Sequence, residues 1–170
     1  MFQTQNDLPE VTRRNITDLL QTRLAEAIDL VLQTKQAHWN VKGPHFIALH
    51  ELFDKVHEEV ESSVDLIAER IMQLGGTAGG TLQAVAKYSS LPEFPMTLTE
   101  DFEYIRFLSR ALGAFGKSVR QGIDQAAKSN DAITADILTE VCRAADKNLW
   151  FVESHLAGGK AGAKPVKGVA

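Results

Sequence analysis

Apolar residues recur along most of the chain at intervals of three and four, the spacing that lines one face of an α-helix. Between about Pro9 and Asn40 this register runs through Leu20, Leu24, Ala27, Val31 and His38, which puts His38 on the inward face. From about Pro44 to Leu74 the stripe is clearest, with Phe46, Leu49, Phe53, Val56, Val60, Ile67, Ile71 and Leu74. A third stripe carries Phe102, Ile105, Leu108, Leu112, Phe115, Val119 and Ile123 to about Lys128, behind a capping box expected at Thr97-Leu98-Thr99-Glu100. The fourth, capped by Asn130 or Asp131, holds Ile137, Leu138, Val141, Ala145, Leu149, Val152 and Leu156 and stops at Gly158-Gly159. Four long amphipathic helices predict an all-α four-helix bundle.

The connection from Gly75 to Thr97 is long for a compact domain, and Thr81 to Tyr88 is expected to form a short helix across the middle of the bundle. Residues 1–8 show no pattern and read as a flexible arm, and residues 9–157 as the bundle. Residues 158–170 form a tail with Lys160, Lys164 and Lys167, no acidic residue and nothing to bury, expected to be disordered.

A chain of 170 residues, 44% hydrophobic, suits one well-buried domain. It has no apolar run of the ~18 residues that a membrane span needs and no signal-peptide pattern, so a cytoplasmic location and no membrane partner are expected. A net charge of −4 excludes a body that grips nucleic acid by bulk positive charge. The single cysteine, Cys142, reads as a small core residue.

The candidate chemistry lies on the flank of the second stripe. His50 and Asp54 are four residues apart, as are Asp65 and Glu69, and all four fall within a sector of about 100° on one helix. The two pairs are separated by roughly 22 Å of helix, while ligands to one ion must lie within about 2–2.5 Å of it. One chain therefore cannot close a site from both pairs. An antiparallel copy across a two-fold axis near residues 59–60 can, since each His50/Asp54 pair then meets the other chain's Asp65/Glu69. The turn Val41-Lys42-Gly43-Pro44 reverses the chain midway between His38 and His50 and adds His38 to the half-site. His45, His57 and His155 read as surface or structural residues, although His57 shares the ligand edge and is a candidate supporting residue or third ligand. Trp39 and Trp150 read as packing residues.

HWN at 38–40, His50, Asp54, Asp65, Ala68-Glu69-Arg70 and the later run Asp146-Lys147-Asn148-Leu149-Trp150-Phe151 together resemble the Dps family, the mini-ferritins, over about residues 7–157. The resemblance implies a ferritin-like four-helix bundle with a short helix in the second connection, assembled from two-fold dimers into a hollow dodecamer. It implies a ferroxidase centre at the dimer interface, with His38, His50 and Asp54 from one chain and Asp65 and Glu69 from the other as catalytic and metal residues. No histidine here follows a glutamate by three positions, the pattern of bundle-core diiron sites.

Imidazole with carboxylate suits ferrous iron, and five ligands can hold two ions. The family further implies hydrogen peroxide as oxidant, a ferric mineral as product, and acidic ion pores for which Asp131, Asp136 and Glu140 are candidates. Non-specific DNA binding through Lys160, Lys164 and Lys167, with nucleoid association, is the remaining expectation, since the amino-terminal arm has no lysine. The alternative is a structural nucleoid protein whose metal site is secondary.

Overall fold

The computed structural model describes residues 1–157, so the lysine tail expected at 158–170 lies outside the described residues. The helices are α1 (Glu10–Asn40), α2 (Phe46–Gln73), α3 (Leu82–Tyr88), α4 (Asp101–Lys128) and α5 (Ala132–Ser154). Among the described residues no helix is long and apolar enough to cross a membrane. A four-helix bundle with a short helix in the long connection is the architecture expected from the sequence.

α1 and α2 form one hairpin and α4 and α5 another, and the hairpins pack through α1 on α4 and α2 on α5. The core between them buries Leu20, Leu24, Phe53, Ile67, Phe107 and Phe115, residues of the predicted stripes or their immediate neighbours. Phe46 departs from its stripe: it sits on the first turn of α2, is largely exposed, and lies 5.1 Å from the His50 ring.

The long crossover returns along α1, which is why α1 buries polar groups on part of its surface. Gln21 bonds both the amide and the carbonyl of Gly79, at 2.9 and 2.8 Å. Ser90 donates to Glu26 and Ser89 to Asp29, each at 2.6 Å, and Gln33 donates to the Pro92 carbonyl at 3.0 Å. α3, capped by Thr81, lies on α1 between these ties.

Residues 1–8 carry no helix, yet the Phe2 amide donates to the Gly75 carbonyl at 2.8 Å and Arg13 donates to the Leu74 carbonyl at 3.1 Å. Gly75 takes φ +85°, and a Cβ there would lie 2.8 Å from the Phe2 carbonyl oxygen, so the arm and this glycine fit one another.

The third long helix begins later than expected. Glu103 accepts from the Thr99 and Glu100 amides at 2.8 and 3.0 Å, so the capping box is Glu100 with Glu103 rather than Thr97 with Glu100. Asp131 caps α5 by accepting from the Thr134 amide at 2.9 Å, after Asn130 at φ +57° closes the preceding turn.

Candidate metal centre

The α1–α2 hairpin builds one corner of the molecule. Gly43 supplies φ +122°, the Phe46 amide donates to its carbonyl at 3.1 Å, and the chain turns tightly enough to place the last turn of α1 beside the first turns of α2. His38 and His50 then stack with ring centroids 3.7 Å apart and planes 22° from parallel. Their bonds are reciprocal: His38 Nδ1 donates to the His50 carbonyl at 2.8 Å and His50 Nδ1 to the His38 carbonyl at 2.9 Å. A carbonyl only accepts, so each Nδ1 carries its proton and each Nε2 keeps its lone pair. A hydrogen bond from one ring nitrogen to a carbonyl is what orients histidines that ligate metal through the other.

Asp54, one turn after His50, completes the corner, with Oδ1 3.8 Å from His38 Nδ1. Sequence reasoning missed Lys35, whose ammonium bonds Asp54 Oδ1; its position three residues before His38 on α1 was the available signal. That bond, with the nearby charge of Lys35, holds the Asp54 carboxyl below the usual carboxylate range despite some desolvation. Asp54 therefore stays an anion with a cation already on it.

Asp65 and Glu69 are exposed farther along α2, and among the described residues neither takes part in an ion pair. No three His, Cys, Asp or Glu side chains of the described residues converge on a single metal position within the chain. The hairpin thus brings together His38, His50 and Asp54 and leaves Asp65 and Glu69 apart.

The remaining histidines differ from one another. His57 is half-buried and donates Nδ1 to the Val31 carbonyl of α1 at 3.1 Å. His45 reaches Asp101 Oδ2 at 2.8 Å and ties the hairpin turn to the start of α4, a contact for which periodicity offers no signal. Burial would raise the Asp101 carboxyl, but bonds from His45 and from the Phe102 amide hold it below the usual range. His155 is exposed at the end of α5.

Asp131, expected at an ion pore, has its carboxylate buried within the chain, bonded by Arg70 Nη2 at 2.8 Å and by the Thr134 hydroxyl at 2.6 Å. Burial would raise its carboxyl, and the bonds from Thr134 and Arg70 overcome that and lower it. Asp136 and Glu140 are exposed on α5. The packing role expected of the tryptophans is also corrected within one chain, where Trp39 is 67% and Trp150 63% exposed. Cys142 is buried as expected, with Arg120 Nη1 3.3 Å from Sγ.

A family model described as a ferritin-like domain matches residues 17–161, so the bundle and its crossover make this a ferritin-like protein. A DNA protection during starvation protein of Agrobacterium fabrum is 43% identical over 153 residues, covering 90% of this chain and 94% of its own length. Among solved structures, Dps of Mycobacterium smegmatis is similar with a TM-score of 0.87 at 31% identity, over 94% of this chain and 98% of the other. DpsC of Streptomyces coelicolor gives 0.89 at 29% identity, over 95% of both chains. The chain belongs to the Dps family, the DNA protection during starvation proteins.

Proposed function

We propose that paired copies of this chain bind ferrous iron at sites shared between subunits, oxidise it, and store the ferric product, thereby protecting DNA from oxidative damage. The observation that carries this reading is the reciprocal bonding of His38 and His50, which leaves both Nε2 lone pairs unspent at the corner where Asp54 Oδ1 lies 3.8 Å from the His38 ring. Iron here is substrate, and the donor set suits it: imidazole and carboxylate oxygen match a metal of intermediate hardness. The Lys35 ammonium on Asp54 stands where a cation is wanted, so an arriving ion replaces one positive charge with a stronger one. Asp65 and Glu69 of the partner subunit supply the missing oxygen ligands, because the same two-fold that pairs α2 with its copy brings them to this corner.

The site holds two ferrous ions, and their joint oxidation by hydrogen peroxide consumes both oxidising equivalents of the peroxide: two ferrous ions, one peroxide and two protons give two ferric ions and two waters. The residues of this chain fix the ions, orient the imidazoles through the two carbonyls, and keep Asp54 ionised. Storage of the mineral follows from assembly of two-fold dimers into a dodecamer, with Asp136 and Glu140 attracting cations to its pores. Non-specific contact of Lys160, Lys164 and Lys167 with DNA, summed over many tails, gives cytoplasmic particles a nucleoid association.

The test is anaerobic addition of ferrous iron and peroxide. Wild type consumes about one peroxide per two irons, and the double variant His50→Ala/Asp54→Ala slows sharply. Equal rates in the two proteins overturn the reading. A low-salt gel shift with and without residues 158–170 tests the DNA contact separately.

A further inference from the structure

His57 is unexplained by the site above. It lies on the ligand edge of α2, one turn after Asp54 and one turn before Glu61, and like His38 and His50 it spends Nδ1 on a backbone carbonyl of the neighbouring helix. Val31 thereby fixes its tautomer, and the Nε2 lone pair is directed away from α1. Glu61 is exposed, stacks with His57 at the i, i+4 spacing, and neither residue takes part in an ion pair among the described residues.

The pairing of α2 with its copy adds the second half. The axis that sets His50/Asp54 of one chain against Asp65/Glu69 of the other passes between residues 59 and 60. The His57/Glu61 pair is centred on residue 59, so it straddles that axis to within about one residue rise, ~1.5 Å. Two copies then face each other with two imidazoles and two carboxylates, the four-coordinate donor set of zinc, cobalt and ferrous ions.

We propose that His57 and Glu61 of two subunits form a second, separate metal site on the two-fold axis, taking one divalent transition-metal ion per dimer. This rests on the antiparallel pairing in the proposed function, and it adds a bound ion that links the subunits midway between the two iron sites. The ion bridges the dimer and stabilises it by mass action.

The test is titration of the full-length apoprotein with cobalt(II), read by bound ion per chain and by the visible bands that distinguish four-coordinate cobalt. His57→Gln keeps a donor for the Val31 carbonyl, so the helix contact survives, and Glu61→Gln is a second, exposed variant. Each is expected to lose about half an ion per chain and the corresponding band, and to lower the cobalt-dependent rise in thermal midpoint. Unchanged stoichiometry in both variants overturns the proposal, and so does loss of one whole ion per chain, which places the site within a subunit. Iron oxidation by wild type is measured alongside: if it is absent, the iron reading fails first, and if it is present while both variants keep their cobalt, the axial site alone fails.

Discussion

Two aspartates on or beside α2 each hold a cation, and they do opposite things with it. At one end Asp131 and Arg70 meet at 2.8 Å with side chains 1% and 5% exposed, and Thr134 adds two further bonds to the carboxylate. At the other end Asp54 and Lys35 meet with side chains 40% and 28% exposed, next to the stacked rings of His38 and His50. The first pair is closed on every side and its guanidinium cannot be exchanged. The second is open, and a lysine on a flexible stem leaves an anion that can accept another cation. Burial, rather than charge, separates a structural ion pair from a binding corner.

That contrast is sharpened first by breaking the closed pair. Arg70→Met leaves the Asp131 charge buried without its partner and is expected to cost about 3–5 kcal/mol in urea unfolding. A change under about 1 kcal/mol would show that the pair is no more buried in solution than the exposed one. The open corner should behave in the reverse manner. His50→Ala/Asp54→Ala is expected to lower the iron oxidation rate by about 100-fold or more, since supporting residues alone are worth about 10–100-fold, while the unfolding midpoint moves little.

How much of this was legible in the sequence follows the same division. The four stripes were readable because core burial imposes a period of three and four, and His38, His50 and Asp54 were readable because a hairpin must bring the ends of two helices together. The partners of single polar residues were not. Nothing in the spacing of Arg70 says that it crosses to Asp131, or that Glu69 beside it makes no ion pair among the described residues, because such pairs depend on how helices meet rather than on how each is patterned. Glu26 and Gln33 of α1 belong to no apolar stripe and are buried beneath the crossover, whose path no periodicity records. The start of α4 shifted by three residues because Glu103, not Glu100, returns to bond the free amides.

A smaller effect is expected in acid. Asp101 and Asp131 are both held below the ordinary carboxylate range, so what they add to stability is full above the unfolded value of about 3.9 and is lost as pH falls through their lowered folded values. Urea midpoints measured at descending pH should fall in that window, and less so in Asp131→Asn, which retains a helix cap. A midpoint that falls instead between pH 5 and 7 would point to histidines. Smallest of all, Lys35→Met frees Asp54 and is expected to tighten divalent-ion binding at the corner by up to about fivefold. Weaker binding in that variant would make Lys35 a support for the site and not its resident cation.

The division of the iron site between chains is tested most directly by complementation. One protein carries His50→Ala/Asp54→Ala and the other Asp65→Asn/Glu69→Gln, and each alone is expected to be slow. Random reassortment of the two into mixed dimers leaves one intact site in every heterodimer, so about a quarter of wild-type iron oxidation should return. No recovery, with mixed dimers shown to have formed, would contradict a site built from two chains.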